Sequence, residues 1–240
     1  MTPIRYARSS VIWNSFEDRL QGLIRDYQLK KVCDVGGGAH PMLPFDFVTH
    51  FGIDYSILDI SGAEMSGLPS SYRAIEADIS SPHLQLSNQY DLVFTKMLAE
   101  HVRSGEQMHR NIFDLLKPGG YAVHFFPTLY APPFVVNCLL NERFAVYAYK
   151  LFAPTHRKLQ DKFPAYYSWC FGPSRKIISR LSVIGYDIIE YWGLYGHHDY
   201  YSRVTPLKWL HEQNVRFLLK ASWPYFTSYA YLVLRKPVDE

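Results

Sequence analysis

The sequence predicts an α/β protein: a doubly wound, mostly parallel sheet of seven strands, with helices on both faces and an aromatic-rich cap between strands five and six. Three observations predict it. Short apolar runs ending in aspartate or glycine alternate with stretches of helical periodicity, the signature of βαβ units. The first run enters a glycine turn, VCDVGGGAHP (Val32–Pro41). The alternation lapses between Pro127 and about Arg175, where Pro127, Pro132, Pro133, Pro154, Pro164 and Pro173 stand among many rings. A chain of 240 residues, 48% of them hydrophobic, buries a full core. One domain over residues 1–240 is expected, with 127–175 as the cap.

The elements follow in order. Val11, Phe16, Leu20, Leu23, Ile24 and Tyr27 recur at helical spacing, which predicts one amphipathic helix over residues 10–29. Lys31–Val35 is the first strand. Ile53–Ile60, Tyr72–Ile75 and Tyr90–Thr95 are the second, third and fourth. Residues 104–116 form a helix with Met108, Ile112, Leu115 and Leu116 on one side, stopped by the Pro118 and glycines of KPGG. YAVHFF (Tyr121–Phe126) is the fifth strand. After the cap, a helix near Ile177–Val183 leads to the sixth strand in GYDIIEYW, and FTSYAYLVLR supplies the seventh.

Composition excludes several classes. A formal charge of +3 without any Lys/Arg run does not suit nucleic acid. Three distant cysteines (Cys33, Cys138, Cys170) argue against a disulfide framework and for a reducing compartment. No apolar run reaches the roughly 20 residues of a membrane span, and the N-terminus has no signal-peptide core. A soluble cytoplasmic protein is expected.

The glycine turn lets backbone approach a ligand at the carboxyl edge of the sheet. A Walker A loop requires GxxxxGK[ST], which is absent. A dinucleotide fingerprint requires G-x-G-x-x-G. Gly36 and Gly38 fit it, but Pro41 occupies the third place. Pro41 suits the first turn of a following helix. Asp59 lies 21 residues beyond Gly38, at the end of ILD, where a carboxylate accepts from two ribose hydroxyls. Asp54 is the alternative if the strand is THFGID; ILDIS favours Asp59. Asp78 ends the third strand in EADIS, where it can accept from an adenine amino group.

VCDVGGG, ILDIS, EADIS, YDLVFTKMLAEHV and LLKPGGYAV stand in order between Val32 and Phe126. Together they resemble the class I S-adenosylmethionine-dependent methyltransferases, Rossmann-like enzymes, in the small-molecule branch that includes quinone-ring methyltransferases. The resemblance implies S-adenosylmethionine as cofactor and S-adenosylhomocysteine as product. It places Asp34, Gly36, Gly37 and Gly38 at the methionine end, Asp59 and Ile60 at the ribose, Asp78 and Ile79 at the adenine, and Thr95 and Met97 on the floor near the sulfonium. The chain departs from the family at His40-Pro41, where many members carry a further glycine or small residue.

Methyl transfer gains most from alignment, so a conspicuous catalytic pair is not required. An oxygen acceptor benefits from a general base. His101, beside Glu100 past the fourth strand, and His197 in GHHDYY are the candidates. His124 reads as a packed strand residue. His197, His198 and Asp199 are a poor metal cage because they adjoin on one loop, and no metal is expected. Tyr166, Tyr167 and Trp169 in KFPAYYSWC, with His198, are candidates to hold a flat or sugar-like acceptor; packing within the cap is the competing role for the rings. Cys170 is not needed as a nucleophile. The expected acceptor is a small molecule, glycan or lipid precursor, methylated at oxygen. The alternatives are a methyltransferase-fold scaffold subunit, an NAD-linked oxidoreductase and an RNA methyltransferase. The last lacks both an N-P-P-Y type motif and an RNA-binding domain. The cap sequence does not identify the acceptor, and nothing in the chain fixes its oligomeric state.

Overall fold

The structure, a computed structural model, describes residues 4–84, 89–129, 164–196 and 205–238. Eight strands form one sheet in the order β1-β7-β8-β6-β5-β2-β3-β4. They are β1 (Ile4–Arg8), β2 (Lys31–Val35), β3 (Asp54–Asp59), β4 (Arg73–Glu76), β5 (Tyr90–Lys96), β6 (Leu116–Pro127), β7 (Asp187–Tyr195) and β8 (Tyr229–Arg235). Strands β4, β3, β2, β5 and β6 pair in parallel, and β8 runs antiparallel between β6 and β7. The seven expected strands all form, in the expected chain order.

The eighth strand, β1, was not expected. It lies at the sheet edge, parallel to β7, from Ile4↔Tyr191 to Arg8↔Tyr195. Its five residues IRYAR include two arginines and leave none fully buried, so its apolar pattern is weak.

The expected helix over 10–29 is broken into α1 (Ser9–Trp13) and α2 (Phe16–Tyr27). Asn14 and Ser15 separate them: Ser15 sits at φ −129°, ψ 8° and its hydroxyl donates to the Val11 carbonyl at 2.6 Å. Such side chains compete with helix hydrogen bonds. Phe16, Leu20 and Ile24 remain on the buried stripe. Phe16 meets Phe94, Phe125 and Tyr231, which fixes α2 to one face of the sheet.

Side chains alternate across a strand. Thr95 and His124, the neighbours of Phe94 and Phe125, therefore face the opposite side. There α4 (Gly105–Leu115) packs on β5 and β6, and α5 (Arg175–Ile184) packs on α4 and β7. Helix α3 (Phe45–His50) links β2 to β3. It starts after Pro44, so Pro41 lies in the preceding loop and does not open a helix. KPGG enters β6 instead of merely ending α4: Gly119 takes φ +81° and the β5–β6 register shifts between Tyr90 and Leu92. Helix α6 (Thr205–Ala221) was also unexpected; it packs on β1 and β7.

No helix among the described residues is long and apolar enough to cross a membrane.

Candidate functional site

Strand β2 pairs with β3 on one side and β5 on the other, so the chain leaves β2 and β5 in opposite directions. A crevice opens at the carboxyl ends of such strands. Gly36, Gly38, Asp59 and the loop after β5 meet there.

Asp34, the penultimate residue of β2, is buried. Its Oδ2 accepts from the Tyr55 hydroxyl at 2.8 Å and from the Met42 amide at 3.0 Å. Burial pushes its carboxyl up to about 6, against the pull of those two bonds. Asp34 thus braces the loop from Gly36 to Met42 from beneath. Gly37 is required by this brace: a Cβ there would lie 2.8 Å from the Asp34 carboxyl carbon.

Gly36 and Gly38 take φ +81° and +47°. A Cβ on Gly36 would meet Leu98 at 2.8 Å; one on Gly38 would meet Glu64 Oε2 at 2.7 Å and lie 3.6 Å from Asp59 Oδ2. The bare backbone is therefore walled by Leu98 on one side and by two carboxylates on the other. Asp59 ends β3 and accepts from the Ser61 amide at 3.0 Å through Oδ1. Asp54, the alternative acid, starts β3 at the opposite edge and lies 4.0 Å from Lys31 Nζ. Ile60 is 61% exposed. Glu76, beside Asp59 in register, brings its carboxylate against Gly62. Asp78 accepts from the Ser80 amide and hydroxyl, each at 2.8 Å, and Ile79 next to it is buried.

Thr95 and Met97 separate. Met97 turns the chain out of β5 at φ +55°. Thr95 is 0% exposed, shares a 2.9 Å hydrogen bond with His124 Nδ1, and faces away from Asp34. It offers no surface to the crevice; Leu98 reaches the glycine turn instead. Thr95, His124 and His109 form a buried polar group, with His109 and His124 rings 5.0 Å apart. Burial lowers both imidazoles, His109 to about 4.

Past β5, the turn Ala99–His101 carries two ionisable side chains. Glu100 is 3% exposed, its Oε2 has no hydrogen-bond partner among the described residues, and burial pushes its carboxyl up to about 8. His101 Nδ1 lies 3.1 Å from the Pro164 carbonyl. A carbonyl only accepts, so Nδ1 donates, while Nε2 lies 3.8 Å from Glu100 Oε1. The Glu100 carbonyl accepts from the Tyr166 and Tyr167 amides at 2.7 and 3.1 Å, tying that segment to this turn.

Residues 130–163 of the expected cap lie outside the described residues, and the rings expected at its end divide. Tyr166 is 43% exposed, and its hydroxyl accepts from Arg103 Nε at 3.3 Å. Tyr167 is buried at φ +50°. Trp169 packs against His109 and under Arg180, and lines a cavity of ≈ 200 Å³ over α4 and α5 with Glu106 and Arg110. His197 and His198 lie outside the described residues. Among the described residues, no three His, Cys, Asp or Glu side chains converge as a metal cage.

Glu64, Glu76 and Leu98 were not anticipated. Glu64 and Glu76 stand near acids that were singled out, but only the fold turns them toward the glycines at 38 and 62. The detached helix α3 weighs against a dinucleotide, since its N-terminus stands seven residues past Gly38 and cannot cap a pyrophosphate held on the turn.

A bare glycine turn, an acid-ended second strand facing it and a sheet closed by one antiparallel strand define a class I S-adenosylmethionine-dependent methyltransferase. Comparison with known families agrees: the chain belongs to the methyltransferase-domain family, which matches residues 15–217. No curated protein matches the sequence. Among solved structures, the cyclase SpnF is similar with a TM-score of 0.54 and 16% identity over 92% of this chain and 82% of its own. A protein of Listeria monocytogenes assigned as an S-adenosylmethionine-dependent methyltransferase gives 0.53 and 11%, covering 92% and 97%. Phosphoethanolamine N-methyltransferase 2 of Haemonchus contortus, solved with S-adenosyl-L-methionine, gives 0.50 and 14%, covering 91% and 52%. At these identities the likeness is one of fold, and a cyclase shares that fold with methyltransferases.

Proposed function

We propose that this protein moves the methyl group of S-adenosylmethionine to an oxygen of a small-molecule, glycan or lipid-precursor acceptor, as a single domain whose residues 127–175 shape the acceptor side. The observation that carries the reading is the approach of Asp59 to the bare backbone of Gly38 at the switch point of the sheet. Asp59 is placed to accept from the ribose hydroxyls, with Ile60 beside it. Asp78 and Ile79 flank the adenine. Gly36, Gly37 and Gly38 seat the methionine end, and Asp34 acts by holding their loop. Glu64 and Glu76 add negative potential beside a cofactor that carries a sulfonium and an ammonium.

When bound, S-adenosylmethionine supplies a methyl carbon activated by a positive sulfur. His101, oriented by Pro164 at Nδ1 and by Glu100 Oε1 3.8 Å from Nε2, is the residue we assign to take the acceptor's hydroxyl proton. Tyr166, with its hydroxyl held by Arg103, lines the acceptor side. Tyr167 and Trp169 support the cap, and Leu98 and Met97 close the crevice against water.

Calorimetric titration with S-adenosylhomocysteine, beside NADH, tests the cofactor. Micromolar binding of the first and none of the second is expected. The converse result sinks the proposal, and silence from both moves the scaffold reading forward. For the base, His101→Gln is expected to lower kcat with S-adenosylhomocysteine affinity unchanged; an unchanged kcat removes His101 from the chemistry.

A further inference from the structure

Helix α6 is apolar on two sides. Val215 and Leu218 are buried in a small cluster with Tyr195, Tyr6 and Leu219. On its outer side Trp209, Leu210 and Phe217 are 65%, 59% and 54% exposed, and the turn that follows adds Trp223 at 47% and Phe226 at 52%. The outer rings are contiguous: Phe217 meets Trp223 at 5.5 Å between centroids, and Trp223 meets Phe226 at 5.6 Å. Isolated exposed rings need no explanation, but a continuous row of them does.

The charges around the row have one sign. Lys208, Arg216 and Lys220 are exposed on α6. The helix's acid, Glu212, is held by Arg8 through two bonds of 3.2 and 2.9 Å, so its charge is met within the fold. Exposed Trp and Phe interleaved with Lys and Arg on a helix too short and polar to span is the composition of a segment that lies in a lipid headgroup layer. The placement matters as well. Strand β7 is parallel to β6, and β8 enters the sheet from the turn at Pro224–Phe226. The ring row thus occupies the same carboxyl edge as the glycine turn.

We propose that α6 and the turn at Pro224–Phe226 form an interfacial docking surface for anionic phospholipid membranes, with Phe217, Trp223 and Phe226 entering the headgroup layer and Lys208, Arg216 and Lys220 meeting lipid phosphates. This inference does not rest on methyl transfer: it concerns a surface and is read out by lipid binding alone. It does orient the protein with the mouth of the crevice toward the bilayer, where an acceptor with an acyl or prenyl tail resides.

Sedimentation of the full chain with vesicles tests it. Phosphatidylcholine vesicles containing a third phosphatidylserine are expected to bind the protein and blue-shift its tryptophan emission. Pure phosphatidylcholine is expected to bind about tenfold or more weakly. Phe217→Ser with Trp223→Ser is expected to weaken binding about a hundredfold, with S-adenosylhomocysteine affinity and far-ultraviolet dichroism unchanged. If that variant does not fold, Lys208→Glu with Lys220→Glu reads the electrostatic half and is expected to abolish the preference for phosphatidylserine. No binding to the mixed vesicles at millimolar lipid overturns the proposal. So does binding that both variants leave intact. A dimer that Phe217→Ser with Trp223→Ser dissociates assigns the surface to a second copy instead, and capture of a protein partner by the same rings without lipid binding assigns it there.

Discussion

Glu100→Gln is expected to stabilise the protein, increasingly so as pH rises. Glu100 is 3% exposed, has an oxygen without a partner among the described residues, and its carboxyl is raised from 4.5 to about 8, burial being the main cause. Between those two values the unfolded chain releases a proton that the folded chain retains, so Glu100's contribution is most favourable below about pH 4.5 and worsens as pH climbs toward 8. At 1.36 kcal/mol per pH unit, the native side chain costs roughly 3 kcal/mol at pH 7 and roughly 4 at pH 8. Glutamine matches the protonated carboxyl in shape and has no proton to lose. The carbonyl bonds to the Tyr166 and Tyr167 amides use backbone and survive the change. For a chain of this size the gain corresponds to a melting temperature higher by about 10 °C at pH 8, shrinking to a few degrees or less near pH 5. Scanning calorimetry of both proteins across that range measures it. Curves whose separation does not change with pH would refute the reasoning, since Glu100 would then ionise equally in both states.

Asp59→Ala is expected to weaken S-adenosylhomocysteine binding by about 2 kcal/mol, or roughly 30-fold, through loss of charge-assisted hydrogen bonds. Asp54→Ala, at the far edge, is expected to leave the titration unchanged, and the reverse outcome relocates the ribose. Gly38→Ala places a Cβ where φ is +47° and Glu64 stands 2.7 Å away; about 1 kcal/mol of backbone strain and a displaced Glu64 are expected to lower cofactor affinity more than stability, read by calorimetry beside thermal melts. His109, lowered to about 4 by burial, excludes a proton that the unfolded chain binds below 6.5. Its contribution is complete above 6.5 and lost as pH falls toward 4, by roughly 3 kcal/mol. His109→Gln is expected to flatten this acid limb in urea titrations at pH 4 to 7.

The parallel half of the sheet was legible because a chemically distinct residue marks the end of each strand or its near neighbourhood: Asp34 one residue before the end of β2, Asp59 at the end of β3, Asp78 two residues past β4. Those residues depend on local order alone. Thr95 was misplaced because its role depends on strand phase: one residue decides whether a side chain joins Asp34's face or His124's. Trp169 illustrates a different limit. Its ring chemistry suits a ligand, yet the packing of Gly105 against Ser168 and Trp169 seats it on α4, a contact between positions 64 residues apart. Glu64 and Leu98 reach the glycine turn only through tertiary approach. The break at Asn14–Ser15 was hidden by a buried stripe whose period continues across it, and β1 by its arginines.

Strand β1 carries a consequence for biosynthesis. Ile4 pairs with Tyr191 and Arg8 with Tyr195, so 187 residues separate each of these partners. On a ribosome β1 has no seat until β7 emerges, and it waits while β2 to β6 assemble. Loop closure over that span is slow relative to local pairing. A segment made before β2 to β6 therefore docks after them, and a change that delays the docking of Ile4–Arg8 is expected to leave the β7 edge bare during the interval when nascent chains aggregate.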